Sequence, residues 1–239
     1  MDAIILAGGK GTRMQPLTTL TPKPLLHVAG RAILEWSLLS LPKAVDHVIV
    51  VVNYLQEQVA AYMRQQTLVR DYQLVEQQPT PLGTGHALQC CQPILRSHEF
   101  LVINGDDLYD AASIQYLALQ PLGILGATRD QASKWGVLVT SEDHKLRRIH
   151  EKPPEELYPV PVMVNAGAYK MDQRIFDYQL PLSARNEYEI TDYVTYLASI
   201  AEVNVVRGAF WYPIGTPHDL AQAQFLDLQA AIKPDSTHT

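Results

Sequence analysis

Short apolar runs separated by stretches of helical periodicity fill the first half of the chain. Ala3 to Leu6, Val48 to Val52 and Phe100 to Ile103 are unbroken apolar runs of strand length. That pattern belongs to strands buried on both faces of a parallel sheet. Between the first two, Ile33 to Leu41 places apolar residues at 33, 34, 38 and 41, which predicts a crossover helix. Tyr54 to Met63 and Gly85 to Leu95 read as further helices, and Tyr72 to Val75 as a shorter strand. The βαβα succession predicts an α/β fold with a right-handed parallel sheet covered by helices.

The texture changes after about residue 120. Gly123 to Thr128, Trp135 to Thr140 and Leu146 to Glu151 are closely spaced strand candidates, the last two joined as a hairpin by the polar turn Ser141 to Lys145. Pro153, Pro154, Pro159 and Pro161 make a stiff loop that no central strand could contain. Val162 to Met171 returns as a strand, Glu189 to Ile200 as a helix and Val203 to Val206 as a last short strand. His218 to Ile232 is expected to be one amphipathic helix, with a frayed tail from Lys233. The whole reads as a single domain over residues 1–232, its halves meeting near residue 120, with a mixed, mainly parallel sheet.

Composition narrows the partners. A chain of 239 residues with 47% apolar and 18% charged residues suits an ordinary globular domain, and a net charge of −6 argues against a nucleic-acid partner. Cys90 and Cys91 are the only cysteines and are adjacent, which disfavours a bridge between them and fits a reducing, cytoplasmic setting. No zinc-like Cys/His spacing appears, and no apolar run is long enough to span a bilayer. A membrane partner is therefore not expected.

The loop that follows Ala3 to Leu6 carries the chemistry. Gly8, Gly9 and Gly11 let backbone N–H groups approach a ligand closely at the carboxyl end of a strand, where open α/β sheets bind their ligands. Lys10, Arg13 and Lys23 add positive charge, so an anion such as a phosphate is the natural guest. The loop is not a Walker A motif, because five residues beyond Gly8 stands Arg13 and no Lys-Ser/Thr pair follows. Nor is it a G-x-G-x-x-G loop, since Met14 occupies the third glycine position. The run Gly8-Gly9-Lys10-Gly11-Thr12-Arg13-Met14-Gln15-Pro16-Leu17-Thr18, followed by Pro22-Lys23-Pro24-Leu25, instead resembles the signature of the sugar-1-phosphate nucleotidyltransferases. The resemblance extends from Ala3 to about Leu220. It implies a Rossmann-like α/β fold with a nucleotide-binding half over about 1–120 and a small sugar-phosphate-binding lobe over about 121–216. With the chain ending soon after its last predicted helix, the left-handed β-helix acetyltransferase domain that many longer relatives carry is not expected.

The same resemblance assigns residues. Leu6, Ala7, Gly8, Gly9, Gly11 and Thr12 would hold the nucleotide, Arg13 the leaving pyrophosphate, and Lys23 the α-phosphate or the sugar phosphate. Gln78 followed by Leu82-Gly83-Thr84-Gly85-His86-Ala87 resembles the base-reading segment of uridylyltransferases, with Gln78, Gly83 and Thr84 at the nucleotide. An amide donates and accepts at once, as the edge of uracil or thymine requires, so UTP or dTTP ranks above GTP. His86 falls at a helix start and reads as structural.

Asp106 follows the Phe100 to Ile103 strand. Its position suits either a turn residue or a ligand of Mg²⁺, and the resemblance makes it the Mg²⁺ ligand. Asp107 has no counterpart in the family and reads as local structure. Gly136, Glu151, Asn165 and Glu187 are matched to sugar-binding positions, and Lys152 to the attacking sugar phosphate. The departure from the family lies at Trp211-Tyr212-Pro213, where Pro213 stands in place of a usual second metal-binding Asp or Asn. Either a neighbour or water completes the metal shell, or catalysis is weak, or the chain serves another role. The expected reaction is pyrimidine nucleotidyl transfer from a triphosphate to a sugar 1-phosphate. The alternatives are cytidylyl or guanylyl transfer to a sugar or alcohol phosphate, and a non-catalytic nucleotide-sugar sensor. The sugar and any homo-oligomeric state stay open.

Overall fold

The computed structural model describes residues 1–232, and the tail expected to fray from Lys233 lies outside them. In chain order the elements are β1 (Asp2–Leu6), β2 (His27–Val28), β3 (Arg31–Ala32), α1 (Ile33–Ser40), β4 (His47–Val52), α2 (Gln56–Gln65), β5 (Tyr72–Glu76), α3 (Thr84–Cys91), β6 (Glu99–Asn104), β7 (Asp107–Tyr109) and α4 (Ala111–Ala118). The second half continues with β8 (Gly123–Arg129), β9 (Gly136–Thr140), β10 (Leu146–Glu151), β11 (Val162–Asp172), α5 (Ile190–Ile200), β12 (Asn204–Arg207), β13 (Trp211–Pro213), α6 (Pro217–Ala223) and α7 (Leu228–Ile232).

Nine strands form one mixed sheet, with β10-β9-β11-β6-β1-β4-β5 along its main path and β8 and β12 branching from β11. β1 lies between β4 and β6 and runs parallel to both. Alternate side chains of these strands enter opposite cores. Ala3, Ile5, Val48, Val50, Leu101 and Ile103 pack with Leu34 and Leu38 of α1, Val59 and Met63 of α2 and Ile114 of α4. Ile4, Ile49, Val51, Phe100 and Val102 pack with Leu88 of α3 and Val194 and Leu197 of α5. Ile4 and Ile5 are fully buried, and each such side chain is worth roughly 1.5–3 kcal/mol. The carboxyl end of β1, and the glycine loop that leaves it, is thereby fixed from both sides.

β11 ties the two halves together. Ala168–Asp172 pairs antiparallel with β6, while Val162–Asn165 pairs with β8, and Val164 also meets β9. The register shifts between Asn165 and Tyr169, where Gly167 takes a φ of 72°. The carbonyls of Ala166 and Gly167 accept hydrogen bonds from the Tyr109 hydroxyl at 3.0 and 3.1 Å. The parallel order expected for the first half therefore holds from β5 to β6 and gives way to antiparallel pairing at β11.

The expected single helix from His218 to Ile232 is two helices, α6 and α7, with a turn between them. Ala223, Leu228 and Ile232 all enter one cluster with Trp36 and Met14. On a continuous helix Ala223 and Ile232 would face about 180° apart, so the chain must turn to bury both. Phe225, in the turn, is left exposed. α4 and the β7–β13 ribbon were not expected. Asp110 caps α4, accepting from Ser113 N at 2.8 Å.

Candidate active site

The loop after β1 is shaped by its own residues. Gly11 takes a φ of 60°, and a Cβ there would stand 2.9 Å from Thr18 Cγ2, so glycine is required. The Thr18 hydroxyl closes the loop by donating to Gly11 O at 2.8 Å. Gly8 packs against the end of β4 and the Gln77 side chain, where a Cβ would meet Val52 C at 3.2 Å and Gln77 Oε1 at 3.3 Å. Lys23 is buried, and its Nζ donates to Asp106 Oδ2 at 2.5 Å. Arg13 forms no ion pair among the described residues, and the same is true of Lys10 and Lys152.

Two chambers open on this edge of the sheet. The smaller, about 430 Å³, is walled by Leu6, Ala7, Gly9, Gly11 and Thr12, with Glu187 opposite. The larger, about 1150 Å³, takes Gly136, Glu151, Lys152 and Asn165. Arg13, Lys23, Thr84, Asp106 and Gly215 border both, so the chambers meet at two cations and a carboxylate. Glu187, matched in sequence to the sugar side, thus stands on the smaller chamber, and Glu189 and Arg185 take its place on the larger.

Gly83 and Thr84 are held by a segment a hundred residues away. Tyr188 N donates to Leu82 O at 2.7 Å, Gly85 N donates to Tyr188 O at 2.7 Å, and Ile190 N donates to Thr84 Oγ1 at 3.0 Å. Gly83 has a φ of 95° and no room for a Cβ, which would fall 2.6 Å from Tyr188 O. Gln78 is exposed, and its Nε2 donates to Glu76 Oε2 at 2.9 Å. Its neighbour Gln77 is the buried amide, donating to Gly83 O at 2.9 Å and lying 3.4 Å from His86 Nδ1. His86 lies between Gln77 and Cys90 and borders neither chamber. Gln77 went unnoticed in the sequence. Alternation past β5 does not single it out, because Tyr72 and Leu74 pack on one core and Val75 on the other, so neither face of the strand is simply the outward one.

On the larger chamber Asn165 is oriented by partners on both sides. Asn165 Nδ2 donates to the Tyr169 hydroxyl at 2.8 Å, and Asn165 Oδ1 accepts from Gly167 N at 2.9 Å. Burial pushes the Tyr169 phenol well above its ordinary range, so it stays neutral. Gly136 leaves space for Glu151, whose Oε2 would lie 2.8 Å from a Cβ at that position. Lys152 adopts a φ of 44° and donates its backbone N–H to Trp135 O at 2.9 Å. A lysine in the left-handed region is strained, and such strain persists only where the surroundings enforce it.

Trp135 also belongs to a group that no sequence motif announced. The Arg129 guanidinium lies 5.7 Å from the Trp135 ring and 4.6 Å from the Trp211 ring, and burial holds its pKa below the usual range. The two indoles meet edge to face at 5.2 Å. Trp211 Nε1 donates to Asp107 Oδ2 at 3.1 Å. Burial, reinforced by the charge of Asp106, pushes the Asp107 carboxyl up to about 7 against the opposing pull of Lys23, Trp211 and Asn104. Asp107 is buried and borders the larger chamber.

Among the described residues no three His, Cys, Asp or Glu side chains gather into a metal-holding group. Carboxylate oxygens are offered by Asp106 at the junction and by Asp107 on the larger chamber beside it. A divalent cation that takes one or two protein carboxylates and fills its shell with phosphate oxygens and water fits that donor set. No helix among these residues is long and apolar enough to cross a membrane.

Comparison with known proteins agrees with the geometry. The family described as nucleotidyl transferase matches residues 2–230. The bifunctional protein GlmU of Methanococcus maripaludis is 33% identical over 93% of this chain and 53% of its own length. The mannose-1-phosphate guanylyltransferase catalytic subunit beta of Drosophila melanogaster is 30% identical over 95% of this chain and 63% of its own. The chain thus spans about half the length of the GlmU relatives it matches. A solved structure of a Bacillus anthracis protein assigned as a glucose-1-phosphate thymidylyltransferase superposes with a TM-score of 0.80 at 25% identity, covering 94% of each chain.

Proposed function

We propose that this chain, which belongs to the nucleotidyl transferase family, transfers a nucleotidyl group from UTP or dTTP to a sugar 1-phosphate and releases pyrophosphate. The observation that carries the reading is the junction of two chambers at Arg13, Lys23 and Asp106. A triphosphate lies along the glycine loop, a sugar phosphate lies against Lys152, and the two are brought together where cations gather. Holding two anions in line contributes most of the catalysis in such transfers, since positioning and charge stabilisation replace covalent chemistry.

In this reading a phosphate oxygen of the sugar attacks the α-phosphorus, the bond to the bridging oxygen breaks, and pyrophosphate leaves toward Arg13. Lys23 neutralises the phosphate at the reacting centre, and Lys152 draws in the attacking phosphate. Glu151, and Asn165 with its oriented amide, hold sugar hydroxyls. Gln78 reads the pyrimidine by exchanging its bond to Glu76 for the base, beside the backbone of Gly83. Asp106 would hold Mg²⁺, which when bound supplies charge neutralisation across the phosphates. Free thiols at Cys90 and Cys91 suit a cytoplasmic site of action.

The relative named as a guanylyltransferase supports a second base, guanine. Pro213 favours one further reading, a binding subunit without turnover. A coupled pyrophosphate assay with four triphosphates against a panel of sugar 1-phosphates separates these. Release with UTP or dTTP supports the proposal, whereas release with only CTP or GTP removes the assignment of Gln78 to uracil or thymine. Calorimetric binding of a nucleotide-sugar with no turnover for any pair would favour the subunit.

A further inference from the structure

Asp107 is a buried carboxylate with no task in the transfer described above. β13 runs antiparallel to β7 with Pro213 opposite Asp107, and residues paired in that way direct their side chains to the same face. Proline offers that face no oxygen. Asp106 precedes β7 in a turn, so strand alternation does not force it away from Asp107.

The two oxygens of Asp107 differ. Oδ2 accepts from Trp211 Nε1 at 3.1 Å, Asn104 Nδ2 at 3.3 Å and the Tyr109 hydroxyl at 3.4 Å. Oδ1 accepts from none of the described residues. The only buried side-chain polar atom left without a partner among them is His47 Nε2, so Oδ1 reaches solvent. The open space that Asp107 borders is the larger chamber, beside Asp106 and Pro213. A carboxylate anchored through one oxygen and open at the other is held as a metal ligand needs to be held.

We propose that Asp107 Oδ1 is the second protein ligand of the divalent cation assigned to Asp106, in place of the side chain that Pro213 cannot provide. Two carboxylates are the number that Mg²⁺ ordinarily takes from protein when phosphates share its shell. The proposal rests on the nucleotidyl-transfer reading.

The test is Mn²⁺ binding to the full chain in the presence of inorganic pyrophosphate, read as enhancement of water-proton relaxation over a protein-free Mn²⁺–pyrophosphate blank. It uses the wild type, Asp106→Asn, Asp107→Asn and the double variant Asp107→Asn with Pro213→Asp, with thermal melts to check folding. Asp107→Asn should weaken Mn²⁺ binding at least about tenfold, as loss of a group that supports a metal site does, and Pro213→Asp should recover it. Wild-type binding by Asp107→Asn alongside loss in Asp106→Asn would overturn the Asp107 assignment alone. Failure of the wild type to hold Mn²⁺ would overturn the transfer reading with it. Should Asp107→Asn not fold, wild-type crystals soaked in Mn²⁺ and pyrophosphate decide the matter. An anomalous peak ligated by both carboxylates supports the proposal, and one ligated by Asp106 without Asp107 refutes it.

Discussion

The smaller chamber takes most of its wall from the single stretch Leu6 to Met14, whereas the larger gathers Trp135, Glu151, Asn165, Arg185 and Asp192 from stretches scattered over sixty residues. The first is a backbone surface. Its shape follows from a strand buried on both faces and from Gly11, where a Cβ would collide with Thr18. The second is a side-chain surface. Its shape depends on the Tyr169 hydroxyl, the Arg129 guanidinium between two indoles and the strained backbone of Lys152. A phosphate cradle can be encoded locally, while the side that selects a sugar is a tertiary construction.

Substitutions break this comparison in graded ways. The largest effect is expected at the junction, which serves both chambers. Asp106→Asn and Arg13→Ala should each lower pyrophosphate release by about 10²–10³-fold or more while the melting temperature stays put. Near-full turnover in either variant would remove the assignment.

Gly167→Ala strikes the strand that joins the halves. Its Cβ would fall 2.1 Å from Asn104 Nδ2, at a φ of 72°. A fall in stability of roughly 1–3 kcal/mol from the backbone alone is expected, with turnover lost along with it, as thermal melts and rates would show. An unchanged melt would mean that the bulge in β11 relaxes freely.

Lys152→Ala should separate the chambers. Loss of a charged hydrogen bond is worth about 1.5–3 kcal/mol, or roughly 10–100-fold. That loss should appear in kcat/KM for the sugar phosphate, with the KM for triphosphate held. Equal increases in both KM values would mean that the halves are not distinct in function.

The smallest effect belongs to a control remote from either chamber. Burial acts to raise the Asp172 carboxyl, but hydrogen bonds from the Arg174 side chain and backbone outweigh it, and the pKa ends below the ordinary value. A carboxylate so shifted stabilises the fold above its unfolded pKa and loses that contribution as pH falls through the lower folded value. Arg174→Ala should therefore cost no more than about 1 kcal/mol near neutral pH, since the arginine is well exposed. The difference should shrink in acid melts, with turnover untouched.

How much was legible in the sequence follows the same division. The glycine loop, β1, β4 and β6 were readable because their signals are contiguous and the strands are buried on both faces. Asp106 could be placed just past β6, but its role as a ligand came from the family resemblance, since position alone suits a turn residue equally. α4 was overlooked although Asp110 and Ser113 carry a capping pattern, and β7 and β13 escaped because three-residue strands have no period of their own. The break between α6 and α7 comes from the demand that Ala223 and Ile232 enter one cluster, which periodicity along the chain does not reveal. Gln77 and Gln78 show the limit most plainly. The family resemblance selects Gln78 for the base, while packing buries Gln77 under Gly83 and leaves Gln78 outside, bonded to Glu76. Arg129 and its two tryptophans carry no signature, since residues 129, 135 and 211 meet only in the fold.

The central claim is direct displacement between two anions that meet at Arg13, Lys23 and Asp106. Exchange of labelled pyrophosphate into the triphosphate tests it most directly. The account predicts no exchange with UTP or dTTP and pyrophosphate alone, and ready exchange once the cognate nucleotide-sugar is supplied. Exchange without any sugar component would reveal a covalent nucleotidyl enzyme, and absence of exchange with every nucleotide-sugar would contradict nucleotidyl transfer altogether.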